Sequence, residues 1–244
     1  TAWLQTELFR RTILNLMGIS TCEKDDNRPV ALLVGPVPPP LFGQAIAMQM
    51  LLGATNLRAS YRLVHLNTNY LGTGRVRRVF STFDLLLRYG VELARQKPCL
   101  LYLMVTRSKL GCVKDFVFVT LAGLRSVPVV VHLHGGDLAV FHARLRGLWK
   151  WLVRSIYRRV RIAIVLGDSL RPQFDGMLPE HRVRVVPNSW FDGGGCIPSD
   201  RPGRAAQDSL RITFLSNVLP SKGLYDALEG VSLAIRQGVK VEFR

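Results

Sequence analysis

In the stretch PVVVHLHGGDL, residues 128–138, an apolar run is followed directly by histidine, glycine and aspartate residues, which are common in enzyme sites. Imidazole and carboxylate groups serve as general acids, bases and hydrogen-bonding groups in enzyme sites. The glycines let backbone N–H groups approach a ligand closely. We expect His132 and His134 to point to opposite sides of the strand, with His134 facing a cleft. A histidine at a strand end is also commonly a structural hydrogen-bonding group, and no third ligand with zinc spacing accompanies this pair.

Two further loops have residues suited to phosphate. Gly43 lies in GPVPPPLFGQAIAM, residues 35–48, where a turn feeds a helix whose first amides favour an anion. Ser216, Asn217 and Lys222 lie in FLSNVLPSKGLYDAL, residues 214–228, and are placed to face a diphosphate, with Lys222 as a compact positive charge. Neither loop matches GxGxxG or GxxxxGK[ST], so a dinucleotide fold and a P-loop NTPase lose their main support. Both loops are also typical of ordinary turns.

The segment FHARLRGLWKWLVRSIYRRVRI, residues 141–162, is basic and amphipathic and predicts one long helix from Phe141 to Arg159. Its apolar face is expected to comprise Leu145, Leu148, Trp149, Leu152, Val153, Ile156 and Tyr157. Its basic stripe comprises Arg146, Lys150, Arg154 and Arg158. This pattern indicates a core-packing helix with a solvated outer face, or a helix that contacts an anionic membrane surface. Nucleic acid is not predicted as a partner, because no nucleic-acid-binding signature accompanies the charge.

The composition sets wider bounds. The chain has 244 residues, 48% of them hydrophobic, with 33 Lys and Arg against 17 Asp and Glu, a net charge of +16. Such a balance favours a polyanion, an anionic membrane face or a phosphorylated ligand. No apolar run reaches the 18 residues of a spanning helix, and the four scattered cysteines show no CxxC. We therefore expect a cytoplasmic protein, with peripheral attachment to the inner membrane face as an option.

The candidate site residues lie in a sequence of apolar runs that alternate with helical segments. The runs cover residues 30–34, 61–67, 99–105, 128–133, 161–167 and 181–188. The helical segments cover residues 44–57, 76–95, 114–126 and 141–159. Because the runs are continuously apolar, they predict an α/β fold with a doubly wound parallel sheet covered by helices on both faces. Ligands bind such sheets beyond the carboxyl ends of the strands, where residues 132–137 lie.

The organisation along the chain follows from shifts in composition. We expect a helical extension at 1–28, an α/β domain at 29–190, a Gly- and Pro-rich linker at 191–209, and the start of a second, incomplete α/β domain at 210–244. That second domain is expected to open with a strand at 210–217 and a helix at 222–238. Both ends of the sequence are typical of cuts in a longer chain.

The order of four blocks, VVVHLHGGD, RIAIVLGDSL, VRVVPNSW and ITFLSN followed by SKGLYDALEG, resembles a retaining glycosyltransferase of the GT-B fold, family 4 type. The resemblance covers residues 30–244. It implies a Rossmann-like acceptor domain and an enzyme of hexosyltransferase type. Such an enzyme moves a sugar from a nucleotide diphosphate sugar to a lipid-linked or polysaccharide acceptor. It implies no cofactor beyond the donor substrate, and no metal is predicted.

The resemblance also implies roles for particular residues. His134 would line the cleft near the transferred sugar, Asp137 would contact the acceptor, Gly43 would lie near the donor phosphates, and Lys222 would hold the diphosphate. Asn188 would belong to the hinge between the domains.

Three departures from the family pattern matter. Phe42 stands where a loop glycine is usual, and Asn217 stands where an arginine is common. The sequence also ends before the family's E-x7-E element, so we expect little or no transferase activity from these residues alone. Two alternatives stay open: a non-catalytic basic module that binds anionic membrane or nucleic acid, and a nucleotide-sugar epimerase on the same two-domain fold. Hydrolase readings lack support because GxSxG is absent.

Overall fold

A computed structural model describes residues 28–69, 74–188, 209–215 and 223–244. The chain divides into two units, Thr1–Phe191 and Asp192–Arg244, and each is described by itself. Most of the predicted N-terminal extension and of the predicted linker lies outside the described residues. None of the helices in the described ranges combines the length and the apolar character that crossing a membrane requires.

Six parallel strands form the sheet of the first unit, in the order β2-β1-β3-β4-β5-β6. They are β1 (Val30–Gly35), β2 (Arg62–Asn67), β3 (Leu100–Met104), β4 (Val129–His132), β5 (Val160–Val165) and β6 (Val183–Val185). Each lies within or beside one of the predicted apolar runs, so the α/β fold with its parallel sheet is confirmed. The strand order reverses between β1 and β3, which makes the carboxyl ends of these two strands the switch point of the sheet.

Helices cover both faces of this sheet. They are α1 (Gly43–Gly53), α2 (Thr55–Ser60), α3 (Arg75–Gln96), α4 (Lys109–Leu124), α5 (Leu138–Arg144) and α6 (Gly147–Arg158), followed by two short 3-10 helices, Asp168–Phe174 and Glu180–Arg182. Met48 of α1 and Leu57 of α2 pack in one core cluster with Tyr102 and Ile164. Residues of α3, α4 and α6 pack in a second cluster with alternate strand residues such as Leu103 and Val131. Successive residues of each strand therefore face opposite helical layers.

The predicted single helix from Phe141 to Arg159 is wrong. The chain leaves α5 with Leu145 in an extended conformation, and Gly147 takes a φ of +53° before α6 continues. Leu145 lies in the break and is nevertheless buried, in the same core cluster as Leu152 and Ile156 of α6. Leu148, expected on the buried face, is 69% exposed. The predicted helix 44–57 is likewise two helices, separated by an extended Ala54.

The described part of the second unit is small. Two parallel strands, β7 (Leu210–Ile212) and β8 (Val241–Phe243), flank α7 (Leu224–Arg236). The helix predicted at 222–238 is confirmed, and Gly238 beyond its end has a φ of +85°, the left-handed conformation that glycine permits. These residues form one β-α-β arrangement, and the expectation of a second α/β domain stays a prediction.

Candidate functional site

The two histidines of the opening stretch lie side by side at the carboxyl end of β4. His132 is the last residue of β4 and pairs in register with Met104 of β3. The rings of His132 and His134 lie 4.0 Å apart between centroids, with 36° between their planes. The prediction that they point to opposite sides is therefore wrong. In an extended chain, residues two apart share a face, and this geometry continues past the end of the strand.

A tyrosine from the neighbouring strand holds the pair. The Tyr102 hydroxyl and His132 Nδ1 are hydrogen-bonded at 2.6 Å, and both side chains are buried. His134 is also buried. Among the described residues, neither His132 Nε2 nor His134 Nε2 has a hydrogen-bonding partner. Buried polar atoms are nearly always paired, so two adjacent ring nitrogens without partners are an unusual feature of this edge.

Both imidazoles are neutral at physiological pH. Burial lowers the pKa of His132 far below its usual range, and the neighbouring His134 lowers it further. Burial also lowers the pKa of His134 to about 4, with the Arg107 guanidinium as the second cause. A neutral imidazole exchanges hydrogen bonds with hydroxyl groups and carries no charge for an anion. The histidine pair can therefore exchange hydrogen bonds with the hydroxyl groups of a polyol. It cannot neutralise an anionic group, which would need a positively charged side chain nearby.

Arg107 supplies a positive charge next to the histidines. It follows β3 and forms an ion pair with Asp137, whose side chain is 64% exposed at the start of α5. Gly135 has a φ of +127°, a conformation that favours glycine, and its Cα faces the Arg107 guanidinium. Sequence reasoning missed Arg107. The available signal was its position just beyond a predicted strand, on the edge where ligands bind.

The loop before α1 reaches the same edge and the same face of the sheet. Gly35 ends β1, and its Cα faces the side chains of Met48 and Met104, with Met104 beside His132 in register. Asn69 donates hydrogen bonds to the carbonyls of Val37 and Pro39. The loop is thus anchored from the end of β2. These contacts place the start of α1, where Gly43 lies, on the side of the sheet that carries the histidines.

The start of α1 is open toward solvent. Gly43 is exposed, and a Cβ there would meet nothing within 4 Å. The N-cap residue Phe42 makes no side-chain capping bond, and the first turn contains no acidic residue. The backbone amides of this turn are therefore accessible to an anion.

Of the other predicted site residues, one lies within the described structure. Asn188 is exposed in the irregular segment after β6. Ser216, Asn217 and Lys222 lie outside the described residues. Within the described ranges, no three His, Cys, Asp or Glu side chains are close enough to hold a metal ion.

A cavity on the opposite face of the sheet is a different feature. It lies between the sheet and helices α4 and α6, beside Cys112, Asp115 and Tyr157. Its volume of about 10 Å³ has room for one water at most, so it is too small for a substrate.

Asp115 accepts a hydrogen bond from the Thr106 amide, and its carboxylate lies 3.6 Å from Lys114 Nζ. The buried pair ties the end of β3 to α4.

The predicted basic stripe is only partly regular. Arg146 precedes α6 as its N-cap residue, whereas Lys150, Arg154 and Arg158 lie on the helix itself. Arg146, Arg154 and Arg158 are exposed, and Lys150 is partly buried. Burial lowers the pKa of His142, and the charges of Lys150 and Arg154 lower it further. A positive field therefore extends from this stripe over α5.

No family model matches the chain, and no curated protein matches it in sequence. The class of protein is accordingly defined by the fold, and the first unit is a Rossmann-like α/β domain with polar residues at the carboxyl edge of its sheet. The resemblance to retaining GT-B glycosyltransferases stays a prediction from the sequence.

Proposed function

We propose that this chain is part of a retaining glycosyltransferase of hexosyltransferase type, with a nucleotide diphosphate sugar as donor and a lipid-linked or polysaccharide acceptor. The observation that carries the proposal is the pair of neutral, buried histidines with orphaned Nε2 atoms at the carboxyl edge of the sheet. Their hydrogen-bonding capacity without charge suits sugar hydroxyls. In this proposal His134 contacts the transferred sugar, and Asp137 with Arg107 contacts the acceptor.

The departing diphosphate needs positive charge and amide dipoles that are in place before the bond breaks. In the proposal, Lys222 and the first turn of α1 at Gly43 supply them. The exposed start of α1, free of acidic side chains, supports this role for Gly43. Ser216 and Asn217 would add hydrogen bonds to the diphosphate, and Asn188 would act in the hinge.

The proposal is tested by titrating the 244-residue chain with nucleotide diphosphates, with the matching nucleotide sugars and with inorganic pyrophosphate. We expect Lys222→Ala to weaken nucleotide diphosphate binding about tenfold, because a charged hydrogen-bonding partner is lost. We expect His134→Ala to weaken binding of the nucleotide sugar about tenfold while leaving the bare nucleotide unaffected, because a hydroxyl contact is lost. Lys150→Ala on α6 is the matched control and should change neither.

A second candidate function is favoured by the charge of the chain, +16 overall. In it, the protein is a non-catalytic basic module that binds an anionic surface through Arg146, Lys150, Arg154 and Arg158. This function would be adopted if pyrophosphate, heparin and nucleotides bound equally well, with steep salt dependence and no response to Lys222→Ala or His134→Ala.

A further inference from the structure

The outer face of α3 is apolar and exposed. Its large apolar side chains are each more than half exposed and recur at spacings of three and four residues, which places them on one side of the helix. This outer α3 stripe comprises Val76, Val79, Phe80, Phe83, Leu87 and Val91. Single exposed apolar residues are normal on a protein surface, but a contiguous patch of this kind marks an interaction site.

The stripe is not needed for packing of the helix. A separate face of α3 carries Leu85, Tyr89 and Leu93, which are all buried. The Tyr89 ring packs 4.5 Å from that of Phe118 in α4, and its hydroxyl donates a 2.7 Å hydrogen bond to the Phe118 carbonyl. α3 thus has two apolar faces, of which one is in the core and the other is directed away from it.

The charges around the stripe are predominantly positive. α3 contains five arginines and two acidic residues, and Arg77, Arg78, Arg88 and Arg95 are exposed. One acid, Asp84, is paired with Arg88 at 2.9 Å. Long arginine side chains beside an apolar stripe can place their guanidinium groups at the level of lipid phosphates while their stems cover apolar surface. An apolar stripe edged by basic residues is typical of a helix that lies in a membrane interface.

The neighbouring helices extend the same surface chemistry. Phe116 of α4 contacts Trp151 of α6, with ring centroids 6.0 Å apart, so α4 links α3 to α6 in one layer. Trp151 and Leu148 are exposed on α6, and the helix contains no acidic residue. A second copy of this chain is a poor occupant for this surface, because each copy carries a net charge of +16 and two basic faces repel. Charge complementarity favours an anionic partner with an apolar layer beneath its charges.

We propose that the outer α3 stripe docks on a bilayer that contains anionic phospholipid. The phenylalanine and valine side chains enter the boundary between head groups and acyl chains, and the flanking arginines meet phosphate groups. The basic stripe on α6 adds charge beside two exposed apolar side chains, Leu148 and Trp151, so the longer α3 stripe supplies most of the component of binding that resists salt. This inference rests on the surface of α3 and not on glycosyl transfer, since vesicle binding requires no donor.

The test is co-sedimentation of the 244-residue chain with vesicles of phosphatidylcholine alone and of phosphatidylcholine containing about one-third phosphatidylglycerol. We expect the chain to prefer the anionic vesicles and to keep part of its binding in high salt. The double variant Phe80→Ser, Phe83→Ser should lower the partition coefficient at least about tenfold, because two aromatic side chains no longer leave water. Both positions are exposed, so the variant should fold, which its circular dichroism and melting temperature check.

The matched control is Leu148→Ser with Trp151→Ser, which removes exposed apolar side chains from α6. A smaller loss than that of the α3 variant supports the proposal. Wild-type-like vesicle binding by the α3 variant would overturn it, as would equal binding of the wild type to vesicles without anionic lipid. A concentration-dependent dimer that the α3 variant abolishes in sedimentation velocity would also overturn it, because a second copy would then be the occupant.

Discussion

At the carboxyl ends of β3 and β4, polar side chains are buried, whereas on the outer face of α3 apolar side chains are exposed. His132 and His134 are each less than one-tenth exposed and have an orphaned ring nitrogen, while Phe80 and Phe83 are 70% and 60% exposed. Both regions reverse the usual division between interior and surface, and such reversals carry more information than residues in their expected places.

Under the two proposals, the two regions bind different kinds of ligand. The histidine pair is enclosed, neutral and hydrogen-bonding, which suits a small polar molecule that enters an edge of the sheet. The outer α3 stripe is open, extended along a helix and edged by positive charge, which suits a surface. One molecule can use both if it modifies a substrate that is presented at a membrane.

The largest expected effect separates the two faces of α3. Leu93 is 4% exposed and Leu87 is 56% exposed on the same helix. Leu93→Ala should lower the free energy of unfolding by about 2–5 kcal/mol, because it removes core contacts and leaves a cavity. Leu87→Ala should change it by less than about 0.5 kcal/mol, as is usual for surface positions.

Urea unfolding followed by circular dichroism measures both variants. Equal losses would show that the outer stripe is packed against something in the isolated chain. The outer face of α3 could then no longer be described as an exposed apolar face that contrasts with the buried polar edge of the sheet.

The second prediction tests the burial of His134 through the pH dependence of the free energy of unfolding. His134 has a pKa of about 4 in the folded protein against an ordinary value of 6.5, so between these values the unfolded chain binds more protons. Stability is therefore fully present above about pH 6.5 and is lost as the pH falls toward 4. The loss from this group is about 3 kcal/mol, at 1.4 kcal/mol for each pKa unit.

The measurement is the free energy of unfolding at pH 7 and at pH 4 for the wild type, His134→Gln and the control His181→Gln, whose side chain is exposed. The His134 variant should lose less stability on acidification than the wild type, and the His181 variant should follow the wild type. The comparison of variants is needed because burial raises the pKa of Asp115, which acts in the opposite direction. Parallel pH profiles for all three proteins would contradict the burial of His134.

The smallest expected effect tests the hydrogen bond between the Tyr102 hydroxyl and His132. Tyr102→Phe removes the hydroxyl that binds His132 Nδ1 and should cost about 1–3 kcal/mol, the usual cost of a buried polar atom left without its partner. Tyr89→Phe is the matched control, because it also removes a buried hydrogen bond, here to the Phe118 carbonyl.

Nitrogen NMR of the imidazoles separates the two variants. Only Tyr102→Phe should shift the ring resonances of His132 and its neighbour His134. Shifts of equal size in both variants would mean that the histidines respond to general loosening of the core and not to the Tyr102 hydroxyl.

The sequence by itself determined the α/β class, the parallel sheet and the placement of His134 at the carboxyl edge. Continuous apolar runs between helical segments can be buried only in a sheet covered on both faces, and the polar residues then fall at the strand ends. Breaks in helices were harder to predict. The apolar residues of 141–159 keep helical spacing across the break between α5 and α6, so local periodicity did not indicate the break.

Only the tertiary structure decided which partners the site residues have. Tyr102 and His132 are 30 residues apart, as are Arg107 and Asp137, and each pair meets because β3 and β4 are neighbours in the sheet. The same holds for α3, where the sequence contains two apolar faces and the packing of Tyr89 against Phe118 selects the one that is buried. Local periodicity specifies the helices and strands, and contacts between distant parts of the chain specify which of their faces are left to bind a ligand.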